Sequence, residues 1–221
     1  MKKILTGLVA AMALSTTVHA ADVSGTISFT NDYRFHGLSQ TMGDPAVQGS
    51  LDVGFDNGVY AGIWGSNVDF GDDANLEIDY YVGYGNDIND ALSYDVMVAY
   101  YTYSGYSGED YDYLELITSL YYSDFSFSYA YADDYGNSGE ESHYLGVDYS
   151  YPINDTIALD LHAGHSFGDA YAEDYEDYSI GLSGSAAGVD LSVAYLTNDI
   201  EGAKTDDFDD DTVVFSVSRT F

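Results

Sequence analysis

Cysteine is absent from the 221 residues, which excludes a disulfide scaffold and any thiolate metal site. Bases are scarce: five Lys and Arg stand against 38 Asp and Glu, a formal net charge of −33. A surface this negative repels phosphate backbones, so nucleic acid is set aside as a partner. Proline occurs only twice, against 23 Gly, 24 Tyr and 10 Phe. That aromatic content separates the chain from disordered acidic sequences, which lack the groups whose burial offsets chain entropy. Long apolar runs are missing after Ala21, so the remainder is no helical membrane protein.

What is present begins with a secretory signal over residues 1–20. Lys2 and Lys3 form a basic start, Ile4 to Leu14 an apolar stretch, and Val18-His19-Ala20 a cleavage site before Ala21. The expected mature unit is residues 21–221.

The dominant pattern in that unit is period-2 alternation, the mark of strands whose successive side chains face opposite ways. From Val23 to His36, polar Ser, Thr, Asp, Arg and His occupy every even position. Similar alternation places Val47, Leu51, Val53 and Phe55 on one face, and Leu76, Ile78, Tyr80, Val82 and Tyr84 on another. It recurs through to Val213, Phe215, Val217 and Phe221. Strand 59–70 is ambiguous because Ile63 and Trp64 adjoin. Reading Asp56-Asn57-Gly58-Val59 as a two-residue hairpin pairs Phe55 with Tyr60, and puts Tyr60, Trp64, Val68 and Phe70 on the apolar face. Twelve strands result, about 17 residues for each strand with its connection, which suits membrane strands of about 9–11 residues. Connections alternate between brief turns and longer acidic loops, as in an outer-membrane barrel with both termini in the periplasm.

Charge separates this reading from a soluble sandwich, which also alternates. Across all twelve strands the apolar face carries one charged residue, Arg219. The polar face carries Asp32, Asp52, Asp69, Glu77, Asp79, Asp95, Glu115, Asp148, Asp160 and Asp190, with Arg34 as its only permanent cation and His36 and Asn67 beside them. These thirteen are the expected pore-lining residues. Tyr81, Tyr101, Tyr103, Tyr113, Tyr121 and Tyr144 face the same lumen and narrow it. Asp69 opposite Glu77, with Asp79 one step further, is expected to form a cation-attracting extracellular mouth. Aromatics beside the brief turns, such as Tyr84, Tyr94, Phe125 and Tyr151, fit interfacial girdles facing membrane lipid and lipopolysaccharide. The terminal Phe221, in an alternating strand, resembles the signal read by the outer-membrane assembly machinery.

Asn31-Asp32-Tyr33-Arg34-Phe35-His36-Gly37-Leu38-Ser39-Gln40-Thr41, Pro45-Ala46-Val47-Gln48-Gly49, Tyr60 to Phe70 and Glu77-Ile78-Asp79 resemble the opening of the TorF family of porins. The likeness is specific over residues 29–85. It implies a signal-bearing barrel of the Gram-negative outer membrane that acts as a pore.

Enzymatic chemistry finds little footing. His165-Ser166 is the nearest approach to a nucleophile and base, and Asp160 with His162 the nearest protease-like pair; neither carries a hydrolase motif. The acidic run 206–211 lacks the glycine and glutamate of an EF-hand. No catalytic residue, cofactor or metal ligand is therefore expected. The expected function is passive diffusion of small hydrophilic solutes, with cations preferred. The alternatives are a non-conducting structural or adhesive barrel working through its acidic loops, and an outer-membrane hydrolase.

Overall fold

A computed structural model describes residues 22–105, 111–200 and 208–221; the signal segment 1–20 and Asp206-Asp207 of the acidic run lie outside them. Alternation resolves into β1 (Asp22–Thr30), β2 (Arg34–Phe35), β3 (Leu38–Ser39), β4 (Ala46–Gly54), β5 (Val59–Asn67), β6 (Leu76–Asn89) and β7 (Leu92–Ser104). These are followed by β8 (Tyr113–Tyr122), β9 (Phe125–Ala132), β10 (Ser142–Pro152), β11 (Ile157–Phe167), β12 (Tyr175–Ala186), β13 (Val189–Asn198) and β14 (Thr212–Thr220). All but β2 and β3 join in sequence order into a closed antiparallel barrel of twelve strands, sealed where β1 pairs β14. Closure leaves no unpaired sheet edge. The even strand count brings Asp22 and Phe221 to one end, where Gly25 and Phe221 exchange backbone hydrogen bonds of 3.0 Å.

The barrel is inside-out relative to a soluble protein. Leu51, Tyr80, Val82, Leu114, Phe127 and Phe215 are exposed on its outer wall. Asp52, Glu77, Asp79 and Glu115 are buried inside. An outward apolar band around a polar interior is the surface of a barrel dissolved in lipid. Turns at the terminal end are short, and Ala187-Gly188 takes two positive φ angles of 55° and 80°, as a type I′ hairpin needs. Longer connections occupy the other end.

The structure corrects two expectations about the strands. In β5, Gly54 pairs Tyr60 rather than Phe55, and the Phe55 N–H donates to the Val59 carbonyl across residues 56–58. The loop therefore has three residues and ends on Gly58 at φ 89°, a turn with a glycine bulge. One residue of slip inverts a strand. Tyr60, Trp64 and Ser66 consequently face the lumen, and Ile63 and Asn67 face outward. The second correction is that β1 stops at Thr30. Residues 31–45 leave the wall and fold into the lumen as a plug, although their alternation continues that of the strand. Asn31 marks the departure, its amide donating to the Val213 carbonyl and its oxygen accepting the Phe215 N–H.

Candidate functional site

The plug is a small hairpin. Phe35 pairs Leu38 across His36-Gly37, whose φ angles of 47° and 80° make a tight type I′ turn. Its base is locked by Asp32. One carboxylate oxygen accepts from Arg34 Nε at 2.5 Å and the other from Ser39 at 2.6 Å. Arg34 also donates to the carbonyls of Gly37, Phe208 and Asp210, which ties the plug to the loop before β14. Tyr33 turns inward and packs edge-on to Trp64 at 5.4 Å, in a cluster with Ala46, Val68 and Ala74. Burial beside Glu77 and Asp79 pushes the Tyr33 hydroxyl well above its usual pKa.

The tip of the plug crosses to the far wall. His36 lies face to face with Tyr144 of β10, centroids 3.5 Å apart and planes inclined by 9°, and Phe35 stacks on its other face at 3.9 Å. Tyr175 of β12 donates to the His36 carbonyl at 3.0 Å. His36 is half-buried, and its Nδ1 is buried without a hydrogen bond. Burial, reinforced by His162, pushes its pKa down to about 3. Beyond Tyr144, both ring nitrogens of His162 meet carboxylates: Asp148 at 2.7 Å and Asp177 at 3.0 Å.

Around this plug the lumen wall repeats one motif, a tyrosine hydroxyl donating to a carboxylate. Tyr103 donates to Glu77 at 2.9 Å, Tyr101 to Glu115 at 2.8 Å and Tyr60 to Asp95 at 2.8 Å, and Tyr81 donates to Asp52. Only Tyr103 and Glu77 face each other across a ladder; Tyr101 stands opposite Asp79 but donates to Glu115. Each phenol gives its carboxylate a donor that buried acids require. Three buried carboxylate oxygens nonetheless accept nothing: Glu77 Oε2, Asp79 Oδ1 and Asp177 Oδ2.

The expected lumen residues divide accordingly. Asp52, Glu77, Asp79, Asp95, Glu115, Asp148, Asp160 and Asp190 project inward from strands; Asp148 accepts from Ser126, Asp160 from Ser150, and Asp190 from Ser185. Asp32, Arg34 and His36 are inside as well, but on the plug rather than a wall strand. Asn67 is a correction: it faces outward, its oxygen accepting the Val47 N–H at 2.8 Å. Asp69 is another. It lies exposed in the loop before β6, accepting the Gly71 N–H at 2.8 Å, and Ser66, not Asp69, stands opposite Glu77. The mouth triad therefore does not assemble; Glu77 and Asp79 neighbour Glu115 instead. Asp177 and Tyr175, which dock the plug, were missed, although Asp177 lies in the polar phase of a strand whose apolar members are Tyr178, Ile180 and Leu182.

The nearest hydrolase candidates do not form a catalytic pair. His165 and Ser166 are consecutive in β11 and face opposite sides of the wall, Ser166 fully buried inside. His162 bonds Asp148 and Asp177, whereas Asp160 accepts from Ser150. Among the described residues no three His, Asp or Glu side chains converge to hold a metal ion.

A family model for Gcw_chp, a bacterial protein of unknown function, matches residues 15–221. No curated protein is a significant match. Among solved structures, the NanC porin in a rhombohedral crystal form aligns with a TM-score of 0.56 and 12% identity, over 90% of this chain and 98% of that one. A structure from work on in-meso crystallization of membrane proteins aligns with a TM-score of 0.56 and 10% identity, over 90% and 83%. OccAB2 of Acinetobacter baumannii aligns over 94% of this chain and 66% of its own, with 12% identity and a TM-score of 0.49. At such identities the likeness is one of fold: a closed porin-like barrel.

Proposed function

The chain belongs to the Gcw_chp family of bacterial proteins of unknown function, and we propose that it is an outer-membrane pore for small hydrophilic solutes that prefers cations. The observation that carries this reading is the charge of the lumen wall. Eight acids project into it from strands, and the one permanent cation found inside among the described residues, Arg34, is held by Asp32 and by carbonyls of the plug and of the loop before β14. A low-dielectric tube lined with one sign of charge concentrates counter-ions and repels co-ions. The resemblance of residues 29–85 to TorF porins supports the same reading and a Gram-negative host. On this reading residues 1–20 are removed on export, both termini face the periplasm, and Phe221 engages the assembly machinery. The apolar band meets lipid, and the acidic loops meet lipopolysaccharide.

Planar-bilayer recording in a salt gradient tests it. The reversal potential is expected to favour potassium over chloride, and to decline towards zero selectivity in high salt as screening sets in. Equal permeability at low salt removes the cation preference. Absence of channel events from folded protein, with the plug released, supports a structural barrel instead.

A further inference from the structure

We propose that residues 31–45 form a gate which protonation of His36 releases from the lumen. The proposal rests on the channel reading for its effect on current, but not for the motion itself. Four rings stand in a row from plug to wall: Phe35, His36, Tyr144 and His162, with the last two at 6.4 Å and 13°. The imidazole of His36 is thus enclosed between two aromatic faces, with one nitrogen buried and unbonded. Neutral, it fits as an apolar plate. Charged, it would lose its hydration within a slot that offers that nitrogen no acceptor.

The titratable groups facing this slot do not rescue the charge. From β10 comes the Tyr144 phenol, which bonds His162 at 2.8 Å. Asp148, also on β10, is engaged by His162. From β11 comes His162 itself. From β12 come Tyr175, which donates to the His36 carbonyl, and Asp177, which turns Oδ1 to His162 and whose buried Oδ2 has no hydrogen-bond partner, His36 Nδ1 included. On the plug, Asp32 and Arg34 satisfy each other. Attraction of an imidazolium to the faces of Phe35 and Tyr144 opposes release, but it is smaller than the cost of burying an unpaired charge.

The pH dependence follows by linkage. A released His36 titrates near its ordinary 6.5, whereas the docked one titrates at about 3. Above pH 6.5 neither form carries the proton, and the balance is flat. Between 6.5 and 3 the released form binds one proton more, so release is favoured by up to about tenfold for each unit of pH lost. Below 3 the gain levels off.

The protein carries its own reporter, its single tryptophan. Trp64 faces the lumen and packs against Tyr33 of the plug. In vesicles, acrylamide quenching of Trp64 should be constant from pH 8 to 6.5, then rise several-fold towards pH 4, with channel open probability rising in parallel. His36→Phe keeps the ring and cannot take a proton, so its quenching should stay low throughout. His36→Asn, which tolerates positive φ, is the second non-titrating variant if the first folds poorly, folding being checked by heat-modifiable migration. It should lack the pH step whatever its baseline. Wild-type quenching that stays flat to pH 4 overturns the gate. So does an equal rise in both variants, which would assign the proton to Asp148 or Asp177. Quenching that responds while no ion passes at any pH supports the gate and discards the channel.

Discussion

Gly37 lies so close to Asp177 that a methyl group on it would stand 2.5 Å from the Asp177 Cβ. This contact joins the tip of the plug to the far wall, and it tolerates no side chain. The φ of 80° at Gly37 independently favours glycine. Gly37→Ala should therefore weaken docking by about 1–3 kcal/mol while leaving the strand pairing of the barrel intact. The expected result is raised Trp64 quenching already at pH 7.5, with unchanged heat-modifiable migration. Unaltered quenching would show that the tip is not held there.

Most of the barrel was legible because lipid imposes one rule on every strand: apolar outward. That rule gave the facing of β4, β6 to β14 and the first part of β1 directly. It failed in β5, where Tyr60 and Trp64 are apolar by composition yet face inward. Tyr60 brings a hydroxyl that Asp95 accepts, and Trp64 is covered by Tyr33. Neither partner adjoins in sequence, so hydropathy alone could not assign the face. The plug was hidden for a related reason. Tyr33 and Phe35 alternate with Asp32, Arg34 and His36 whether the segment continues a wall or crosses the lumen. His36-Gly37, two adjacent residues suited to positive φ, was the local sign of a turn inside that run.

The inverted register of β5 predicts opposite outcomes at adjacent positions. Ile63 stands between Leu51 and Tyr80 on the outer wall, and Trp64 between Ser50 and Asp79 inside. Ile63→Lys should destabilise the folded barrel by about 2–4 kcal/mol, the cost of a lysine near the bilayer midplane. Trp64→Lys loses its packing on Tyr33 but sets an ammonium beside Asp79, and should cost less. Urea unfolding in vesicles compares the two. A larger loss at Trp64 would restore the two-residue hairpin reading.

The seam of the barrel offers a coupled pair. A side chain at Gly25 would meet the Phe221 ring at 3.0 Å, and their backbones exchange two hydrogen bonds. Gly25→Leu should destabilise by about 1–3 kcal/mol through crowding. In a Phe221→Ala background the same change should cost less, because the ring it displaces is gone. A double-mutant cycle on urea midpoints measures that coupling; strictly additive effects would mean that the ring does not cover Gly25.

Selectivity should reside in the acids that water reaches. Glu77, Asp79 and Glu115 are 2%, 8% and 3% exposed, enclosed by tyrosines and the plug. Asp148 lies lower in the lumen with 39% of its side chain exposed, and Asp95 and Asp160 are half-buried beside it. A passing ion senses a charge through the water it shares with it, and charges walled off by phenols contribute less field to that path. The triple variant Asp95→Asn, Asp148→Asn, Asp160→Asn should therefore reduce cation preference more than Glu77→Gln, Asp79→Asn, Glu115→Gln, when reversal potentials are compared at low salt. Because Tyr101 and Tyr103 donate to Glu115 and Glu77, the upper triple should instead lower the denaturant midpoint. An upper triple that abolishes selectivity while stability is unchanged would move the filter to the plugged half, with Glu77, Asp79 and Glu115 as its working residues.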